Sequence, residues 1–286
     1  MKIIRTTRDV RQALSSPRRL GKSIAFVPTM GSLHEGHLSL LRRAREETDV
    51  VVASVFVNPM QFDDPNDFRA YPQDLSVDAE LAASANTDIV FSPSVNEMYP
   101  DGFFTTVSVR ELSETLEGSV RGPGHFAGVA TVVAKLFNIV QPDVAYFGQK
   151  DAQQLLIVRR MVRDLAFSVR IEACPIVREP DGLAMSSRNA RLTPTDRPRA
   201  LALKAGLDAA EQAVAQGERS ADAITSAARV RMQEFGVDAE YCALVHPDDL
   251  SPIATIEDRA LLAVAARVGG VRLIDNAILQ TSTGAR

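Results

Sequence analysis

Ile24-Ala25-Phe26-Val27-Pro28-Thr29-Met30-Gly31-Ser32-Leu33-His34-Glu35-Gly36-His37 passes from a buried strand, through a glycine-bearing loop, to the start of a helix. Its first four residues form an uninterrupted apolar run of strand length. The amino end of the helix that follows has unpaired N–H groups and the positive end of a dipole, which suit phosphate. Gly31 and Gly36 let backbone come close to a ligand. His34 and His37 share one helical face and can donate to phosphate oxygens as charge develops. The same pair can also serve simply as a helix cap. Two of the chain's four histidines lie here, which makes this segment the first place to look for chemistry.

Working outward, residues 50–57, 89–91, 144–147 and 169–173 read as further buried strands. Between them Val129, Val132, Val133, Leu136, Phe137 and Val140 recur at helical spacing, as do Leu155, Val158, Val162 and Leu165. Strand–helix alternation with continuously apolar strands predicts an α/β fold, a Rossmann-like parallel sheet with helices on both faces. Such sheets bind ligands at the carboxyl ends of their strands. Past residue 176 the texture changes. Arg178-Glu179-Pro180-Asp181-Gly182 is a turn sequence, Ala-rich helical stretches cover 197–216 and 221–235, and strand-like runs cover 240–245, 261–268 and 271–279. Gly269-Gly270 signals a hairpin between the last two. The expectation is a domain of residues 1–176 and a smaller α+β domain of residues 177–286.

The chain has 286 residues and a formal net charge of -4, which argues against general affinity for nucleic acid or anionic membrane. The charge is uneven: Lys2, Arg5, Arg8, Arg11, Arg18, Arg19 and Lys22 face only Asp9, read as a solvated basic helix. Cys174 and Cys242 form no pair motif, so neither a thiolate metal site nor a disulfide framework is expected. No signal-peptide pattern opens the chain and the longest apolar run is strand length, so the expected location is cytoplasmic.

Three more clusters carry chemistry. Phe147-Gly148-Gln149-Lys150-Asp151-Ala152-Gln153-Gln154 again follows a strand and opens a helix, so topology places it on the same sheet edge as the histidines. Lys150 can hold phosphate as a point charge, and Asp151 can accept from ribose or help hold a metal ion. Met185-Ser186-Ser187-Arg188-Asn189 brings hydroxyls and a guanidinium that can clasp polyphosphate, or else forms a polar interdomain loop. Asn58 and Gln61, in Phe56-Val57-Asn58-Pro59-Met60-Gln61-Phe62, set neutral amides among apolar walls, which suits a small polar organic acid. Two look-alikes fail. His34-Glu35-Gly36-His37 is one residue short of the zinc-protease spacing, and Leu20-Gly21-Lys22-Ser23 precedes a strand where a P-loop follows one.

Together these segments resemble the pantothenate synthetase family, the pantoate–β-alanine ligases of coenzyme A biosynthesis. The resemblance runs in order through residues 26–38, 54–62, 71–74, 124–128, 138–154 and 177–192. It implies a Rossmann-like domain related to class I aminoacyl-tRNA synthetases, a small mobile lid domain and a homodimer. It implies that ATP and (R)-pantoate, with Mg2+, give pantoyl adenylate and pyrophosphate, and that β-alanine then yields pantothenate and AMP. Met30, Gly31, Ser32, Leu33, His34, Glu35, Gly36 and His37 would then form part of the ATP site, His37 as proton donor and His34 on the phosphates. Gly148, Gln149, Lys150, Asp151, Val177, Met185, Ser186, Ser187 and Arg188 would complete it. Of these, His37, His34, Lys150, Ser186, Ser187 and Arg188 form the catalytic set. Gln61 and Gln154 would hold pantoate, with Gln61 also near β-alanine and Asn58 beside it; the metal ligands are left open. The chain departs from the family pattern at Gln149, where a glutamate is usual. The spacing in Arg121-Gly122-Pro123-Gly124-His125 is one residue longer than usual, so Glu117, Arg121 and His125 rank below the other residues. Two rivals stand beside this reading: a nucleotidyltransferase that keeps the nucleotide on its product, and a silent nucleotide-binding regulator.

Overall fold

A computed structural model describes residues 1–62, 65–69 and 71–281. It divides into two compact units, Met1–Gln149 with Gln153–Pro175, and Lys150–Ala152 with the chain from Ile176 onward.

The first unit is built on six strands: β1 (Lys2–Ile4), β2 (Ile24–Thr29), β3 (Val50–Val55), β4 (Ile89–Phe91), β5 (Val144–Gly148) and β6 (Arg170–Cys174). All pair in parallel, in the order β1-β4-β3-β2-β5-β6. Side chains alternate across the sheet, so successive residues of β2 meet different helices. Ala25 and Val27 pack with Leu38, Leu41 and Ala44 of the helix Glu35–Glu47. Phe26 points the other way and meets Phe137 of the helix Pro123–Val140 edge-on, at 6.4 Å between ring centroids. Helices therefore cover both faces, which is why β2 and β3 are apolar at nearly every position. The chain winds outward from β2 through β3 to β4, then restarts on the other side of β2 with β5. The switch point lies between β2 and β5, and the loops leaving these two strands begin at Met30 and Gln149.

The basic amino-terminal stretch differs from expectation. Lys2–Ile4 is an edge strand, with Lys2 in register with Ile89. Only Thr7–Arg19 is helical, and it buries Val10 and Leu14. Two of its arginines, exposed Arg11 and half-buried Arg18, also bond to backbone carbonyls. Arg11 donates to the Asn138 carbonyl at 3.3 Å, and Arg18 donates to Val140 O and, at 3.5 Å, to Gln141 O. These carbonyls end the helix Pro123–Val140, where a cation offsets the negative end of the dipole.

The second unit places the helices Ala202–Ala215 and Ala221–Gln233 on an antiparallel sheet of β7 (Ala239–Val245), β8 (Arg259–Val268) and β9 (Val271–Gln280). Leu203, Leu207, Ile224, Ala228 and Met232 close over Leu262, Val264 and Ala266. The β8–β9 hairpin turns at Gly269, whose φ of +57° lies in the region glycine enters without strain. Residues 177–185 fold back on themselves around the predicted turn, with Met185 N donating to Val177 O at 3.0 Å and Gly182 at φ +95°.

Candidate active site

The loop after β2 is held from beneath. Thr29 Oγ1 donates to Ser54 O on β3 at 2.6 Å and accepts Gly31 N at 3.1 Å. Asp78, 2% exposed on the helix Leu75–Ser84, accepts Ser32 N at 3.0 Å and Leu33 N at 2.7 Å. Gly31 sits at φ +83°, and a Cβ there would lie 2.6 Å from Asp78 Oδ2, so backbone and carboxylate can approach only at glycine. Two N–H groups of this loop thus belong to Asp78. The sequence did carry a signal for this residue: a carboxylate in phase with Leu75, Ala79 and Ala82 on the packed side of a helix.

His34 and His37 do cap their helix. His34 Nδ1 accepts Gly36 N at 3.1 Å and His37 Nδ1 accepts His34 N at 3.3 Å, the rings 4.2 Å apart between centroids. An Nδ1 that accepts cannot carry the proton, so each neutral ring carries it on Nε2. The cap fixes the tautomer, and the Nε2–H edge is the one that can donate to a phosphate oxygen. Capping and chemistry are compatible in the same two side chains because they use different nitrogens.

Next to this loop, the turn Pro59–Gln61 is gripped by the helix Pro123–Val140. Gly128 approaches so closely that a Cβ would lie 2.1 Å from Met60 O. His125 Nδ1 lies 2.8 Å from Gln61 O, and because a carbonyl only accepts, this histidine is protonated on Nδ1. Half-buried Gln61 donates from Nε2 to Met30 Sδ at 2.9 Å, which joins the amide cluster to the histidine loop. Asn58, expected among the substrate contacts, has its side-chain amide engaged within the protein. It is 1% exposed, its Nδ2 donates to Gln61 Oε1 (3.0 Å) and Gly128 O (3.1 Å), and its Oδ1 accepts Met60 N (3.2 Å) and the Tyr99 hydroxyl (2.8 Å). Every hydrogen-bonding position of that amide is occupied within the protein. Asn58 positions Gln61.

Beyond β5, Gly148 has open space where a Cβ would stand, and Gln149 and Gln154 are half-buried. The neighbouring Gln153 is buried and committed to the fold: it accepts Glu117 N at 3.0 Å and donates to Leu112 O and Thr115 O. Glu117 in turn accepts Arg121 Nε at 3.2 Å.

In the second unit Lys150, Ser186 and Arg188 line one cleft together with Arg272 and Asp275. Ser187 starts the short helical turn Ser187–Arg191, which Ser186 caps by accepting Arg188 N at 3.3 Å. Met185 leads into this turn, and its N–H pairs with Val177, so these two expected ATP residues stand opposite each other at the hairpin base. Asp151 is exposed, with its carboxylate 4.0 Å from Lys150 Nζ. Three residues that sequence reasoning missed hold the cleft. Arg178 forms a two-pronged pair with Asp275 (2.6 and 3.1 Å), whose side chain is 1% exposed, and Asn276 donates to Lys150 O at 2.9 Å. Asp275 falls in the inward phase of β9 with Val271 and Leu273, and a carboxylate in that phase was the available clue. Among the described residues no group of three or more His, Cys, Asp or Glu side chains could hold a metal ion, and no helix is long and apolar enough to cross a membrane.

The family model described as Pantoate-beta-alanine ligase matches residues 2–278. The chain belongs to the pantoate–beta-alanine ligase family. It is 52% identical over 280 residues to a pantothenate synthetase of Thermotoga petrophila, covering 98% of this chain and 100% of that protein. Among solved structures it is similar to a pantothenate synthetase from Thermus thermophilus, with a TM-score of 0.91, 47% identity and coverage of 97% and 99%. A pantoate-beta-alanine ligase from Francisella tularensis, complexed with beta-gamma ATP and beta-alanine, gives a TM-score of 0.77 at 35% identity, covering 97% of each chain.

Proposed function

We propose that this chain condenses (R)-pantoate with β-alanine, consuming ATP and releasing AMP and pyrophosphate. The observation that carries the reading is the tautomer lock at His34 and His37: two neutral imidazoles with Nε2–H donors at the switch point of a parallel sheet. A pantoate carboxylate oxygen attacks the α-phosphorus of ATP, forming an O–P bond while the bond to pyrophosphate breaks. That transfer needs relief of developing negative charge rather than a protein nucleophile. His37 serves as proton donor and His34 as a phosphate contact, with Met30, Gly31, Ser32, Leu33, Glu35 and Gly36 shaping the nucleotide loop. Lys150, Ser186, Ser187 and Arg188 supply cationic and hydroxyl donors to the phosphates, and Gly148, Gln149, Asp151, Val177 and Met185 complete the nucleotide contacts. Gln61 and Gln154 hold pantoate. The β-alanine nitrogen then attacks the acyl carbon, the bond to AMP breaks, and the amine loses its proton.

Mg2+ binds such sites through one or two carboxylates and the substrate phosphates. The exposed Asp151 beside Lys150 fits that donor set. When bound with ATP, the ion neutralises phosphate charge. The chain is proposed to act in the cytoplasm as a homodimer, and the fully exposed Phe104 (93%) is an apolar group suited to subunit contact.

The test is incubation with ATP, magnesium and pantoate, with and without β-alanine, with products identified by mass. Pantothenate and AMP formed only when all substrates are present support the reading. A product that retains the AMP moiety supports the nucleotidyltransferase instead, and no pantoate-dependent pyrophosphate release refutes both.

A further inference from the structure

We infer that the Tyr99 hydroxyl is a positioning group which holds in place the Asn58 amide that Gly128 O and Met60 N orient, and through it keeps the N–H end of the Gln61 amide toward the substrate. The Gln61 position therefore offers a hydrogen-bond donor, which a carboxylate or hydroxyl oxygen of the ligand would accept. This rests on the proposed role of Gln61 in holding pantoate.

The reasoning follows the hydrogen bonds one at a time. A side-chain amide can be placed either way round, and only its partners decide which end is nitrogen. Gly128 O can only accept and Met60 N can only donate, so Asn58 must direct Nδ2 to the first and Oδ1 to the second. The second hydrogen of Nδ2 then points at Gln61, which must answer with Oε1, at 3.0 Å. The reversed Gln61 would set two donors against each other. Its Nε2 is accordingly fixed on the Met30 side, where Met30 Sδ takes one contact and the second hydrogen serves a ligand oxygen.

Tyr99 closes the chain at its far end. Its hydroxyl donates to Asn58 Oδ1 at 2.8 Å, the shortest bond that amide makes, and supplies the acceptor's second donor in a buried site. The ring is held between Phe56 and Phe103, 6.0 and 5.1 Å between centroids, so the hydroxyl has little freedom to leave. Burial raises the phenol above its ordinary range, which keeps it a donor at any working pH.

Tyr99→Phe removes the hydroxyl and keeps the ring, whereas Tyr99→Leu removes both. Gln61→Glu puts oxygen at both ends of that side chain. Steady-state pyrophosphate release is measured for wild type and the three variants, varying ATP and pantoate in turn. Loss of one neutral hydrogen bond in Tyr99→Phe should raise the pantoate KM about fivefold. The ATP KM should stay within about twofold of wild type, because the relay touches only the amide. Gln61→Glu should raise the pantoate KM more than about tenfold, since a carboxylate would then face a carboxylate. If Tyr99→Phe matches wild type while Tyr99→Leu is impaired, ring packing is the whole role and the inference falls. Equal loss for ATP and pantoate in Tyr99→Phe also overturns it, as does a Gln61→Glu enzyme with normal pantoate KM. Wild-type protein that makes no pantothenate sinks the proposed function first, and the inference with it.

Discussion

Replacing Asp78 by asparagine tests what holds the histidine loop in place. The carboxylate is 2% exposed and accepts two backbone N–H groups, from Ser32 at 3.0 Å and Leu33 at 2.7 Å. Asparagine keeps one oxygen and turns an NH2 toward the other amide, so one bond to a charged acceptor is lost and a donor faces a donor. A hydrogen bond to a charged group contributes about 1.5–3 kcal/mol, so the first unit should lose about 2 kcal/mol. Ser32 is at φ +52°, a conformation that costs a non-glycine residue about 1–2 kcal/mol, so the freed loop has reason to relax. Urea unfolding followed by circular dichroism measures the global loss. Hydrogen exchange at the Ser32 and Leu33 amides measures the local one, and should be roughly 30-fold faster for about 2 kcal/mol. Unfolding free energy within about 0.5 kcal/mol of wild type, with unchanged exchange at both amides, would refute the claim that Asp78 anchors this loop.

His37→Ala and Lys150→Ala should each cut turnover at least about tenfold while circular dichroism shows a folded chain, because each removes stabilisation of developing charge; near-normal turnover in either would remove that residue from the mechanism. Gly128→Ala sets a methyl 2.1 Å from Met60 O, so it should destabilise the chain by about 1–3 kcal/mol and raise the pantoate KM, read by thermal melting and kinetics. Burial pushes the Cys174 and Cys242 thiols from 9.0 up to about 11, so neither should react with a thiol reagent near pH 8 until urea is added. A raised thiol pKa means the folded state holds the proton more tightly. This contribution to stability is complete below pH 9.0 and is lost as pH climbs toward about 11, a trend pH-dependent unfolding would reveal.

What could be read in advance depended on the range of the interaction. Ile24–Val27 and Val50–Val55 declare themselves because strands buried on both faces must be apolar throughout. The hairpin at Gly269 is legible because its strain is local. The Lys150 and Ser186–Arg188 segments were recognisable from residue type, and the structure puts Lys150, Ser186 and Arg188 on one cleft. Helical phase marks Asp78 as packed, but the groups that Asp78 and Tyr99 hold lie 45 and 41 residues away, beyond anything periodicity reports. The engagement of Asn58 was hidden for a different reason. An amide among apolar residues looks the same whether it faces a ligand or is saturated by its own backbone. The edge strand Lys2–Ile4 was hidden because its one charge, Lys2, opens a basic run credited as a whole to a helix, although an edge strand tolerates lysine too.

The grouping of Lys150–Ala152 with the second unit bears on how this chain can be rearranged. Residues on either side of that triplet group with the first unit, so the polypeptide changes unit at 149/150, again at 152/153 and finally at 175/176. A gene fragment beginning at Ile176 would encode a cleft without its lysine, and the Asn276 amide would lack the Lys150 carbonyl it grips. The second unit is therefore not a cassette. Recombination with a relative at residue 176 would separate Arg188 from the lysine that shares its cleft and pair two partners with different histories. Grafts that carry residues 150–152 along with the chain from Ile176 avoid that mismatch.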